Sequence, residues 1–137
     1  MKHELELAVR HYECDAYNHV NNATYLNYLE YARECFLKQA GLDYGLWVAA
    51  GNGIWVVEYH LEYKSPAVAD ERLKILTTTT ELGGAWAVLT QSITGPENRA
   101  VLDAKVKLVW IGPRGRPTRI PQDWRHKFGS LGNLTTV

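Results

Sequence analysis

Between Asp15 and Tyr25 the chain reads Asp-Ala-Tyr-Asn-His-Val-Asn-Asn-Ala-Thr-Tyr. A carboxylate, an imidazole and two carboxamides therefore stand directly before an amphipathic helical pattern. A carboxylate can take a proton from water or attack a carbonyl carbon itself. The N–H groups of a helix's first turn can hold the oxygen that becomes negative during that attack. These are parts for hydrolysis: Asp15 as base or nucleophile, His19 as general acid or loop-positioning group, and Asn21 or Asn22 as cap of the helix whose start offers backbone N–H groups to an oxyanion. Each has a plainer role. An Asp in a loop commonly bonds its own backbone, a single His is more often structural, and an Asn before a helix is a cap. The last is compatible with function, because a well-formed helix start is itself the oxygen-binding feature.

Other residues invite weaker readings. Glu30 and Arg33 sit three apart on the helix and predict a surface or interface ion pair, with Glu30 a second candidate carboxylate. Glu58 and His60 alternate with apolar residues and predict a solvated strand face. Glu58 would border the site if that strand met its own copy. Tyr17, Trp47, Trp55 and Tyr59 would suit an apolar or aromatic pocket, or simply a core. Cys14 reads as a buried thiol. No Walker or dinucleotide fingerprint is present, and no metal-type spacing surrounds the cysteines, so neither a cofactor nor a metal is expected.

The elements that must position these groups follow from composition and period. At 137 residues, 46% hydrophobic and 22% charged, the sequence predicts one globular domain over 1–137, with order lost in the tail from about residue 126. Fifteen basic residues balance fifteen acidic ones, which gives no pull toward nucleic acid. Met1–Glu6 lacks a leader's apolar stretch, and no apolar run approaches membrane length. A cytoplasmic protein with reduced Cys14 and Cys35 and no membrane or nucleic-acid partner is expected.

Residues 4–12 predict a first strand. Tyr25, Leu29, Ala32, Phe36 and Ala40 recur at helical spacing and predict a helix over about 22–40, stopped by Gly41. A short helical segment over 42–50 follows. Val57, Tyr59, Leu61 and Tyr63 alternate toward Pro66, and three further strands over 71–82, 85–94 and 99–111 are joined at Gly83-Gly84 and Gly95–Asn98. A helical turn fits 122–128. A single striped helix must cover the sheet's dry face, which predicts an α+β fold: a curved antiparallel sheet of about five strands round one long central helix.

Asp15-x-x-x-His19-Val20-Asn21-Asn22-x-x-Tyr25, then Tyr28-x-Glu30-x-Ala32-Arg33, and later Tyr63-x-Ser65-Pro66-Ala67 resemble the hotdog-fold acyl-CoA thioesterases of the 4-hydroxybenzoyl-CoA thioesterase type. The likeness spans roughly residues 4–125. It implies hydrolysis of an acyl-CoA or acyl-carrier thioester, with Asp15 as base or nucleophile and the Asn22 amide at the oxyanion position. Tyr25 matches a tyrosine at the start of the helix. Some members carry His or Tyr where this chain has Asn22, so only the backbone amide is carried over there. Arg114, Arg116 and Arg119 would then meet the phosphates and adenine of coenzyme A. A lone unit of this kind leaves a strand edge and apolar surface open, so a homodimer or homotetramer is expected. Tyr17, Asn21, Tyr25, Glu58 and Tyr59 would line its substrate site, partly across subunits. The alternatives are a non-catalytic acyl-thioester binder and a hotdog enoyl-thioester hydratase. The hydratase wants an Asp–His pair of a spacing not found here.

Overall fold

The helix that follows the acidic loop is the element around which the others pack. In the computed structural model, which describes residues 2–131 and 135–136, α1 runs Thr24–Gln39. Its inward residues Tyr25, Tyr28, Leu29, Ala32, Phe36 and Leu37 recur at steps of three and four and are all buried. Gly41 takes φ 75°, and the Leu42 N–H donates to the Leu37 carbonyl at 2.9 Å. This left-handed closure is one that glycine permits at low cost. The helix begins at Thr24 instead of 22, with Ala23 at the cap position. Asn21 does not cap the first turn. Its side chain accepts the Ala23 N–H at 2.9 Å, closing a separate turn ahead of the helix.

Strands β1 (His3–Ala8), β2 (Gly53–Tyr63), β3 (Arg72–Leu82), β4 (Trp86–Thr94) and β5 (Ala100–Ile111) make an antiparallel sheet in the order β1-β3-β4-β5-β2. A two-residue β6, Thr135–Thr136, adds to β3 in parallel. Leu73 and Ile75 of β3, Leu89 and Ile93 of β4, and Leu102 and Val106 of β5 are buried in the same clusters as the stripe of α1. One long helix wrapped by one curved sheet is the hotdog arrangement, as the element order implied.

Three boundaries differ from the sequence expectation. β1 ends at Ala8, because His11–Glu13 form a tight 3-10 turn in which the Arg10 N–H donates to the Glu13 carboxylate at 2.8 Å. β2 starts at Gly53, and its register slips between Val56 and Glu58. That bulge breaks the alternation, so Val56 and Val57 are both exposed. The tail contributes to the core: α3 (Gln122–Gly129) buries Trp124 and Phe128, and Phe128 stacks edge-on against Phe36 and Trp110 at 5.1 and 5.2 Å. Order thus continues past 126 to the end of α3. The same expectation for 132–134 and 137 lies outside the described residues. A short α2 (Tyr44–Ala49) is capped by Asp43, which accepts the Leu46 N–H at 2.9 Å. Among the described residues no helix is long and apolar enough to cross a membrane.

The first strand carries a pH-sensitive contact. His3 is 6% exposed and packs edge-on against Phe36 at 5.8 Å. Burial holds its imidazole below the ordinary value of 6.5. The unfolded chain therefore binds this proton at a higher pH than the folded protein does. The contribution is complete above about pH 6.5 and is lost as pH falls toward the folded value. The thermal midpoint is expected to drop between about pH 7.5 and about pH 5.5, and to drop less in His3→Phe. Parallel curves for the two proteins would refute the assignment.

Candidate active site

The loop from Asp15 to His19 is built by Asp15 itself. Its Oδ1 accepts the Tyr17 N–H at 2.9 Å and the His19 N–H at 3.2 Å. The Asp15 N–H donates to the His19 carbonyl at 2.7 Å, and the Asn18 N–H to the Asp15 carbonyl at 3.0 Å. Closing so tight a turn puts Asn18 at φ 60°, a left-handed conformation that asparagine tolerates better than most residues. The ordinary turn role of an aspartate is thus real here, but it occupies one oxygen. The Oδ2 of Asp15 accepts no hydrogen bond from the described residues, and the side chain is exposed.

The rest of the site is stitched to this loop over long sequence distances. The Val20 N–H donates to the Ala67 carbonyl and the Asn21 N–H to the Glu13 carbonyl, both at 2.9 Å. Tyr25 is buried, and its hydroxyl oxygen accepts the Ala67 N–H at 3.1 Å. Burial pushes the Tyr25 phenol above its usual value of 10.0, so it stays protonated at neutral pH. Tyr28 donates to the Glu13 carboxylate at 2.9 Å. Its phenol is pushed up first by burial and then by that carboxylate. The Tyr63 hydroxyl donates to the Asn22 carbonyl at 3.0 Å, while the Asn22 N–H has no acceptor among the described residues.

Asp15, His19, Asn22 and Tyr25 on one side, with Tyr63, Lys64, Ser65 and Pro66 opposite, border an open cleft of about 490 Å³. A carboxylate with a free oxygen and an unpaired backbone N–H in one cleft are the two kinds of group that attack on an acyl carbon needs. A depression of about 520 Å³ at the other end of α1 carries Glu34 and Asp43. Asp43 is committed there to capping α2.

The structure brings together Asp15, His19, Asn22 and Tyr25, with Asn21 beside them holding the turn. His19 meets Asp15 through its main chain, and its ring lies 6.4 Å from that of Tyr17. Tyr17 itself is 81% exposed on the loop. Glu58 lies exposed on β2 and Tyr59 lies half-buried, neither bordering the cleft within one protomer. The predicted Glu30–Arg33 pair does not form. The Arg33 guanidinium turns inward, donating to the Tyr59 hydroxyl at 2.6 Å and to the Gln91 side-chain carbonyl at 3.0 Å. Gln91, fully buried, donates in turn to the Leu29 carbonyl at 3.1 Å and to Thr77 Oγ1 at 3.0 Å. A buried acceptor reached through the fold outcompetes a solvated carboxylate on the same helix.

Trp47 belongs to the core, packed on Trp124 at 5.6 Å and donating to the Gly53 carbonyl, whereas Trp55 is exposed on β2. Burial, ahead of the nearby Asp15, raises the Cys14 thiol above its ordinary value, which fits an inert residue. Arg114, Arg116 and Arg119 follow β5, whose Ile111 pairs with Gly53, while Leu102 pairs with Tyr63 beside the cleft. At about 3.3 Å per residue these ends are roughly 30 Å apart, so the three arginines are remote from Asp15 within one protomer. Tyr63 to Pro66 were legible only as part of the family resemblance. Nothing local in them shows that they face Asp15.

The chain is similar to known thioesterases in sequence and in fold. The family model for the Thioesterase-like superfamily matches residues 9–128. The chain is 38% identical over 110 residues to the long-chain acyl-CoA thioesterase FadM of Escherichia coli, covering 79% of this chain and 82% of that one. It is 32% identical over 127 residues to a chloroplastic acyl-acyl carrier protein thioesterase of Arabidopsis thaliana, covering 92% and 67%. The crystal structure of the probable thioesterase YbaW from Escherichia coli superposes with a TM-score of 0.79 at 33% identity, covering 93% and 97%.

One contact in the site gives a direct stability test. Tyr25→Phe removes the acceptor for the Ala67 N–H in a fully buried position. Leaving such a donor unpaired is expected to cost about 1–3 kcal/mol. The urea midpoint should fall accordingly at an unchanged slope, and an unaltered midpoint would contradict the contact.

Proposed function

The chain belongs to the Thioesterase-like superfamily and is a thioester hydrolase, and from that premise we propose that Asp15 and the start of α1 perform the reaction on acyl thioesters of coenzyme A or of an acyl carrier protein. The observation that carries the reading is the pairing in one cleft of a carboxylate with one free oxygen and the unpaired Asn22 N–H. With Asp15 as base, water adds through its oxygen to the thioester carbon while its proton passes to the carboxylate. The carbonyl oxygen becomes negative and is received by the Asn22 N–H, with the positive end of α1 behind it. The carbon–sulfur bond then breaks, and the departing thiolate takes the proton. With Asp15 as nucleophile, its oxygen bonds the thioester carbon, the carbon–sulfur bond breaks and the thiolate leaves; water then cleaves the resulting anhydride, returning the Asp15 carboxylate and giving a proton to the thiolate. Both routes yield a carboxylic acid and a thiol.

In this reading His19 borders the reacting group, Asn21 holds the turn, and Tyr25 backs the wall. Tyr17, Glu58 and Tyr59 contribute across a subunit boundary. β2 is an open edge of the sheet, and Trp55, Val56 and Val57 on it are 54%, 42% and 50% exposed. A second copy pairing there satisfies the free backbone groups and covers the apolar side chains. A homodimer is the assembly this edge favours.

The test is thiol release from short-chain, long-chain and aromatic acyl-CoAs and from an acyl carrier protein thioester, in wild type and Asp15→Asn. The expected result is loss of about a hundredfold or more in kcat in the variant, with its thermal midpoint and oligomeric state retained. Undiminished turnover in the variant would reject Asp15 and move the chemistry to Glu30 or Glu58.

A further inference from the structure

The wall of the cleft opposite Asp15 is held by a side chain that lies outside the cleft. Arg99, in the turn before β5, donates from Nε to Ser65 Oγ at 3.2 Å and from Nη2 to the Pro66 carbonyl at 3.2 Å. The same guanidinium makes a two-pronged pair with the Glu71 carboxylate at 2.7 and 2.9 Å. Glu71 in turn accepts the Val68 N–H at 2.9 Å, and the Ser65 hydroxyl donates to the Ala100 carbonyl at 2.6 Å. Residues 65–71 cross from β2 to β3. Their far end is tied to Val9, through Asp70 and Glu71 main-chain bonds at 2.9 Å. Their cleft end, Ser65-Pro66, is where Arg99 grips.

This crossing segment is also the one that receives the catalytic loop. Val20 bonds to Ala67, His19 pairs with Val68, and Ala67 bonds to Tyr25 at the start of α1. A displacement of the segment is therefore passed to the Asp15 turn and to the helix start together. We propose that Arg99 and Glu71 are a positioning pair for the active site, touching no substrate but fixing the wall and the Asp15 loop relative to the Asn22 amide. The inference rests on the Asp15 reading above. The chemistry of the pair suits the task. A planar guanidinium can serve a carboxylate, a hydroxyl and a carbonyl at once in fixed directions, whereas an ammonium cannot. The guanidinium also holds the Glu71 carboxyl below its usual range, and Glu71 raises Arg99, so both remain charged at neutral pH.

The experiment compares wild type, E71Q, R99K, R99Q and E71Q/R99Q well below their unfolding transitions. It reads kcat and KM for thiol release, together with amide hydrogen exchange. Misplacing reacting groups by fractions of an ångström lowers turnover more than binding. The expected result in R99K and R99Q alike is a fall in kcat of about tenfold or more with KM within about threefold. Exchange at Val20 and Ala67 should quicken about tenfold while Leu89 in β4 is unchanged, and the double variant should be no worse than R99Q. Should R99Q not fold, E71Q carries the same comparison. Wild-type kcat in R99K would overturn the proposal, because charge alone would then suffice. So would a loss of kcat with unaltered exchange at Val20 and Ala67. Exchange needs no substrate, so the two claims fail separately. Quickened exchange in R99Q beside a fully active Asp15→Asn would sink the Asp15 reading and leave the clamp standing.

Discussion

The cleft exists because α1 is locked in both axis and rotation. Leu29 and Ala32 are fully buried against the sheet, and a leucine so buried contributes about 1.5–3 kcal/mol. Apolar burial is non-directional and would allow the helix to roll. The Gln91 amide removes that freedom: inside the core it bonds the Leu29 carbonyl of α1, Thr77 of β3 and the Arg33 guanidinium. A buried amide is costly unless satisfied, so any rotation of the helix that broke these bonds would strand polar groups in the core. With the rotation fixed, the first turn of α1 and the Asp15 loop can open only at the rim beside Tyr63.

What was legible in the sequence was whatever depended on local period or residue type. The stripe of α1 gave the helix, and the strand-type residues over 99–111 gave β5. Where a local competitor acted, the boundary moved. Asn21 spent its carboxamide on a turn and delayed the helix start, and the bulge at Val57 spoiled the alternation in β2. α3 was faint because Trp124 and Phe128 are its only buried residues, too few to make a clear period. Arg33 misled for a different reason. Its spacing from Glu30 is an ion-pair spacing, and only the tertiary fold reveals a buried acceptor in Gln91.

The site divides along the same line. Asp15 and His19 stood out by type and order, and the helix start was placed only to within two residues. Their partners did not stand out, since Val20–Ala67, Tyr25–Ala67 and Tyr63–Asn22 join segments far apart in the chain. Ser65-Pro66-Ala67 stood out by family likeness, but its grip by Arg99 and Glu71 belongs to no local motif.

Asp15 shows why the plain and the functional readings of a loop carboxylate need not compete. A side chain used only as a base would be mobile, since an exposed aspartate rotates about two bonds and spends little time aimed at one point. A side chain used only as a turn former would have nothing left to offer. Here Oδ1 is held by two N–H groups of its own loop, and those bonds set the plane of the carboxylate and therefore the direction of Oδ2. The turn thus supplies the preorganisation that the proposed chemistry requires, with the ordering entropy met during folding instead of in the transition state. The same reasoning makes Asn18 part of the arrangement without touching substrate. Its left-handed backbone at φ 60° is what lets the chain return soon enough for the His19 N–H to reach Asp15.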